Sequence, residues 1–250
     1  MSKHIAIVGK GGTGKTTFSA LTIRYLMEKN RGSILAVDAD PNANLNEALG
    51  MEVTTTISQL IEETKDPKAL PVGMSKETFI QYRLQQSLVE TKKVDLLVMG
   101  GPQGPGCYCY PNDLLRKYME RLEQGYDYLV IDNEAGMEHI SRRTIQDVDR
   151  LFIISDASVR GVRTAGRLAE LVRTLKIKVN EKYLVVTKGT PEIMEELQPA
   201  ILETGVPLIG WVPYDEQVLK FDAAGKPLFD LPADSPAVKG VYEILEKVRL

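Results

Sequence analysis

Cysteine is nearly absent from this chain: its 250 residues contain two, Cys107 and Cys109, separated by one tyrosine. A disulfide scaffold is thereby excluded, since residues so close would bridge only with strain. A chain of this length buries about 70 to 75% of its unfolded surface without covalent help. Long apolar runs are missing as well. No window approaches the roughly 18 consecutive apolar residues of a membrane-spanning helix, and Met1–Val8 lacks the pattern of a secretory signal. Charge of one sign is also missing. With 31 basic against 34 acidic residues, the net charge of −3 offers no broad basic surface for nucleic acid or an anionic membrane. No repeat, low-complexity tract or linker interrupts the chain. One cytoplasmic domain spanning residues 1–250, with no nucleic-acid or membrane partner, is expected.

What the chain does have is alternation. Apolar runs at Ile5–Val8, Ile34–Val37, Val94–Met99, Tyr128–Ile131, Leu151–Ile154, Tyr183–Val186 and Leu208–Val212 are separated by longer helical patterns. Such alternation predicts an α/β fold with a mostly parallel central sheet and helices on both faces. Strands buried on both faces read as continuous apolar runs, as these do. Ligands of such folds collect at the carboxyl ends of the strands. The segment 54–93, with helical stretches such as Ile57–Glu63, reads as an insertion beside the core.

The run Gly9-Lys10-Gly11-Gly12-Thr13-Gly14-Lys15-Thr16-Thr17 follows the first apolar run and precedes an amphipathic segment. Its spacing is that of a phosphate loop, in which glycines let backbone N–H groups close on phosphates and Lys15 reaches the outer ones. Thr16 then takes the position of a magnesium-facing hydroxyl. ATP or ADP with Mg²⁺ is the expected cofactor. Lys10 exceeds what such a loop requires. It is either a solvated loop lysine or an extra cation of the kind that phosphoryl transfer uses.

Two carboxylate motifs follow. In Val37-Asp38-Ala39-Asp40-Pro41 the two aspartates project the same way from an extended chain. They suit either a magnesium-bound, water-orienting role or a turn or helix cap with Asn42 and Asn44. In Tyr128-Leu129-Val130-Ile131-Asp132 an aspartate ends an apolar strand, as a carboxylate holding magnesium through water does. Gly136, shortly after, offers a flexible backbone for sensing the terminal phosphate.

Both cysteines fall in Gly100-Gly101-Pro102-Gln103-Gly104-Pro105-Gly106-Cys107-Tyr108-Cys109-Tyr110-Pro111, which reads as a loop. They are either small buried residues or ligands of a soft metal. Two thiolates half-fill the four-coordinate shell of zinc or a related ion, so a twofold dimer sharing Cys107 and Cys109 would complete it. His139, Met137 and His4 are read as ordinary polar or apolar positions rather than ligands.

The early lysine of the phosphate loop resembles that of the deviant phosphate-loop ATPases, which include MinD, the ParA partition proteins and the nitrogenase iron protein. This resemblance implies a dimer in which Lys10 touches the partner's nucleotide, Asp40 positions water and Asp38 lies near the metal. Together with the Cys-x-Cys loop and Asp132-Asn133-Glu134-Ala135-Gly136-Met137-Glu138-His139, the loop resembles the CooC-type maturation ATPases across nearly the whole chain. It implies ATP-dependent delivery of nickel, with Ni²⁺ or Zn²⁺ held by the cysteines, to carbon monoxide dehydrogenase or acetyl-CoA synthase. A nitrogenase-type reductase loses support because Asn133–Met137 contains no second cysteine. Thr187-Lys188-Gly189-Thr190 departs from the relatives' asparagine after this strand and lacks the aspartate of a guanine reader. The resemblance implies Pro213 beside an adenine. A MinD-like or ParA-like positioning ATPase, or a structural zinc that only holds a dimer, stays as the alternative.

Overall fold

The computed structural model describes residues 2–63, 70–101, 118–133 and 147–250. Seven strands form one sheet in the order β3-β2-β4-β1-β5-β6-β7. They are β1 (Lys3–Gly9), β2 (Ile34–Ala39), β3 (Val94–Val98), β4 (Tyr128–Asn133), β5 (Asp147–Asp156), β6 (Lys178–Gly189) and β7 (Leu208–Pro213). Every neighbouring pair is parallel, and each of the seven apolar runs falls on a strand, Met99 alone lying past the end of its own. The α/β sheet expected from their alternation is therefore present. An isolated antiparallel bridge joins Val89 to Leu96.

Side chains alternate across the sheet and sort into two layers. Ile5, Ile7, Ile34, Ala36, Val130 and Phe152 face α1 (Lys15–Glu28), α2 (Leu45–Leu49) and the helix at Pro236–Lys247. Ala6, Val8, Leu35, Val37, Leu129 and Ile153 face the other way. That second layer is closed by α3 (Ile57–Glu63), α4 (Lys76–Gln86), α5 (Val159–Thr174) and α6 (Pro191–Glu203). The segment 54–93 thus supplies Ile57, Leu60, Ile80 and Leu84 to the core on its way from β2 to β3.

The later helices begin where the sequence places capping residues. Ser158, Thr190 and Ser235 accept from the N–H groups of Gly161, Ile193 and Val238, which opens α5, α6 and, after the short α7 (Glu216–Ala223), α8 (Pro236–Lys247). Pro191 and Pro236 occupy first-turn positions where no N–H is needed. Among the described residues no helix is long and apolar enough to cross a membrane.

The strand order reverses direction at β1. Its successor in sequence, β2, lies beyond β4, while β5 lies on the other side. A crevice at the carboxyl end of β1 follows from that reversal. Gly9 lies in this position and pairs in register with Ile154. A Cβ there would lie 2.4 Å from the Ile154 carbonyl oxygen, a backbone atom that cannot rotate away. Gly9→Ala is expected to destabilise the fold by about 1 to 3 kcal/mol, read as a lower urea midpoint with an unchanged slope.

Candidate functional site

The loop from Gly9 to Thr17 turns back on itself around one carbonyl. Lys10 O accepts from the Thr13 hydroxyl (2.8 Å), the Lys15 ammonium (3.3 Å) and the Thr13 N–H (3.4 Å). Gly12 and Gly14 adopt φ values of 77° and 85°, conformations that glycine reaches without a Cβ penalty. Gly14 is the N-cap of α1, and no side chain caps this helix or places an acidic group in its first turn. The first N–H groups of α1 are therefore open to an oxyanion, at the positive end of the helix dipole. Lys15 is buried and Lys10 is exposed.

Asp38 and Asp132 occupy the ends of β2 and β4 and stand opposite each other in register. They face the α1 side of the sheet. Burial pushes Asp38 up to about 6, even though it accepts N–H groups from Leu45 (2.9 Å) and Asp40 (3.0 Å). Asp38 thus shapes the turn into α2. Asp40 accepts the backbone N–H (2.9 Å) and side-chain amide (3.1 Å) of Asn42, which holds its carboxylate at the loop tip.

Asp132 is 1% exposed, and burial, reinforced by the Asp38 charge, pushes it up to about 7 against the Thr16 hydroxyl and the Lys15 ammonium. The Ser19 hydroxyl also lies near enough to pull the Asp132 pKa back down, yet neither that hydroxyl nor Asp132 Oδ1 closes a hydrogen bond of good geometry. Unpartnered polar atoms in such surroundings are costly. A hydrated divalent cation held by Thr16 and Asp132 fits this donor set. Such an ion would offset phosphate charge.

Beside the loop, a cleft open to solvent is walled by Phe18, Pro213, Tyr214, Val218 and Leu219, with Ala237 and Val241 of α8 behind. The apolar walls suit a flat heteroaromatic ring. Asp215 also borders it, but its carboxylate is occupied. Oδ1 accepts the Gln217 N–H (2.8 Å), and Oδ2 accepts the Ser235 hydroxyl (2.5 Å) and the Ala237 N–H (3.1 Å). Burial raises its pKa, yet these bonds outweigh that effect and hold it below the ordinary carboxylate range.

The structure therefore gathers Gly9–Thr17, Asp38, Asp40, Asp132 and Pro213 on one edge of the sheet. Cys107, Cys109, Gly136, Met137 and His139 lie outside the described residues. Among the described residues no cluster of three or more His, Cys, Asp or Glu is positioned to hold a metal ion. His4 lies at the opposite edge, where its ring contacts the Asp147 carbonyl (2.9 Å) and Glu123 (3.3 Å). Two participants were not legible as such in the sequence. The Asn133 amide donates to Ile7 O (3.0 Å), tying β4 to β1, and the Thr187 hydroxyl donates to Thr13 O (2.7 Å) across the loop. The only signal for the second was the unusual Thr187-Lys188 pair itself.

The sign of the Asp132 shift yields a prediction. A carboxyl whose folded pKa is raised from 3.8 to about 7 binds more protons folded than unfolded, so its stabilising contribution is lost as pH rises across that interval. In EDTA, wild-type protein should lose stability relative to Asp132→Asn between about pH 4 and pH 7, by up to about 4 kcal/mol. Paired urea titrations across that range check it, and parallel stability curves would contradict it.

Residues 5–228 match the family described as the CobQ/CobB/MinD/ParA nucleotide binding domain. An uncharacterized ATP-binding protein of Methanocaldococcus jannaschii is 45% identical, covering 98% of this chain and 97% of that protein. The carbon monoxide dehydrogenase accessory protein CooC of Rhodospirillum rubrum is 31% identical, covering 94% and 91%. Among solved structures, MinD of Pyrococcus horikoshii complexed with Mg-ADP superposes with a TM-score of 0.71 at 20% identity, covering 99% of this chain and 96% of that one. With its parallel sheet, its glycine loop at the end of β1 and these relatives along nearly its whole length, the chain belongs to the CobQ/CobB/MinD/ParA nucleotide-binding family and is an ATPase of the MinD/ParA type.

Proposed function

We propose that this ATPase is a metal-delivery protein: it carries a soft metal ion, nickel or zinc, on Cys107 and Cys109 of two chains and releases it to a client metalloenzyme. Nickel for a carbon monoxide dehydrogenase, or for the related acetyl-CoA synthase, is the cargo and client we favour. The observation that carries the reading is a physical link between the nucleotide edge and the segment that leads into the cysteines. The Met99 N–H, just past β3, donates to the Asp38 carbonyl (2.8 Å), and a Cβ on Gly101 would lie 3.3 Å from Pro41. Any shift of Asp38–Pro41 with nucleotide state is thereby passed to the chain entering residues 102–111. The CooC relative, a carbon monoxide dehydrogenase accessory protein, supports the choice of client.

In this reading ATP lies with its phosphates on the open N-terminus of α1, its base in the cleft beside Pro213, and its outer phosphates against Lys15. The Asp215 carboxylate is committed to Gln217, Ser235 and Ala237, and Thr190 stands where a guanine reader carries its aspartate, which favours adenine. Thr16 and Asp132 hold Mg²⁺. Two chains close face to face, Lys10 of each reaches the other's nucleotide, and Asp40 orients the water that converts ATP to ADP and phosphate. Thiolates suit soft ions, and a site shared between chains changes geometry when the chains part.

A MinD-like positioning role is the second reading, prompted by the MinD relatives. Against a free amphipathic anchor in α8, the apolar face of that helix is spent in the core: Val238, Val241, Ile244 and Leu245 are at most 1% exposed.

Two experiments test the proposal. Nickel and zinc titrated into reduced protein should bind at one ion per dimer, and a Cys107→Ser, Cys109→Ser variant should lose that ion while keeping ATP hydrolysis. Loss of dimer and hydrolysis together would indicate a structural zinc, and absence of metal binding above the variant would favour positioning. Lys10→Ala should lower turnover by about 10²-fold or more while leaving ADP affinity nearly unchanged. Full ATP-dependent dimerisation and turnover in that variant would refute the action of Lys10 across the dimer.

A further inference from the structure

The pairing of β6 with β7 slips just before the strand ends: Thr187 pairs with Val212 and Gly189 with Pro213, leaving Lys188 as an extra, unpaired residue. Lys188 has φ 59°, a left-handed conformation that is costly for a residue with a side chain. Bulges of this kind redirect a side chain, and backbone strain of this kind concentrates where function requires it. Thr187, still paired with Val212, faces the α1 side of the sheet by ordinary alternation after Val185, and the bulge brings Lys188 round to the same side, toward the phosphate loop. The buried Thr187 hydroxyl lies 2.7 Å from Thr13 O and 3.2 Å from Ser155 O, and the Lys188 ammonium reaches Gly12 O at 3.4 Å.

The consequence follows from peptide geometry. In a trans peptide the C=O and the following N–H point in opposite directions. With the Thr13 carbonyl held toward β6, the Gly14 N–H is directed away from β6, toward the mouth of the loop. Gly14 has φ 85° and no Cβ to resist peptide rotation, so nothing within the residue itself fixes this orientation.

We infer that Thr187 and Lys188 form a clamp that presets the phosphate loop from outside, with Thr187 as the positioning residue for the Gly14 N–H. Neither side chain has to touch the phosphates. Both act by holding loop carbonyls turned outward, so that donors are already aimed when the nucleotide arrives. Preorganisation of this kind raises affinity by removing an ordering cost. The inference rests on the nucleotide lying as described above, and it accounts for the Thr187-Lys188 pair in place of an asparagine.

The test compares wild type with Thr187→Val, Thr187→Ser and Lys188→Gly by calorimetric titration of Mg-ADP and Mg-ATP, by adenosine competition, and by melting temperature. Thr187 also borders the base cleft, and Thr187→Val keeps the shape of that wall while removing only the donor, so it is expected to weaken ADP and ATP binding about tenfold while leaving adenosine unaffected. Thr187→Ser should restore most of that affinity. Lys188→Gly relieves the strained backbone, so it should melt at the same temperature as wild type or higher and yet bind the phosphates more weakly. A purely structural role predicts the reverse pairing, with affinity following stability. Wild-type ADP affinity in Thr187→Val, or equal losses for ADP and adenosine, would overturn the clamp. Wild-type protein that bound neither nucleotide would remove the underlying site, a failure distinct from either of these.

Discussion

A helix that starts without a capping side chain leaves several backbone N–H groups without partners, and the site is organised around that deficit at α1. The later helices α5, α6, α7 and α8 are all closed by a serine, threonine or aspartate. Only α1 among these long or capped elements starts on a bare glycine, and it follows the strand where the sheet order reverses. The missing cap is affordable because a ligand with oxyanions can take its place. Everything nearby either holds the loop in shape, as the Lys10 carbonyl does for Thr13 and Lys15, or supplies charge to what binds.

The paired carboxylates illustrate a second consequence of the same crevice. Asp38 and Asp132 share a register position on adjacent strands and are almost fully buried. Their solutions differ. Asp38 is satisfied by two backbone N–H groups and becomes part of the chain's turn, whereas Asp132 keeps an oxygen with no partner. An electrostatic debt left open in the folded protein is the mark of a position arranged for something outside the chain. The same logic explains why Asp215, at the rim of the base cleft, belongs to the scaffold. Its carboxylate joins the starts of α7 and α8 through Gln217, Ser235 and Ala237.

The sheet was legible because buried parallel strands write themselves as continuous apolar runs, and all seven runs became strands. The phosphate loop was legible because few backbones other than a ligand-wrapping one need glycine at Gly9, Gly12 and Gly14. Strand ends were read short: β5 starts at Asp147 and β6 at Lys178, where polar residues continue a ladder that apolar patterning alone does not mark. The tie from Thr187 to Thr13 spans 174 residues of sequence, and no local pattern encodes such a contact. Likewise, Asp38 reads equally well as a metal neighbour or a cap in sequence, because both uses require a short carboxylate before a turn.

The base cleft joins distant parts of the chain: Phe18 lies near one end of the sequence, Pro213 and Val218 follow β7, and Ala237 and Val241 come from α8. The loop at Gly9–Thr17 and the wall at Ala237 and Val241 become one site only where α8 packs beside α1. Recognition of a nucleobase is thereby a property of that docking, and a bound base would report that α8 is in place.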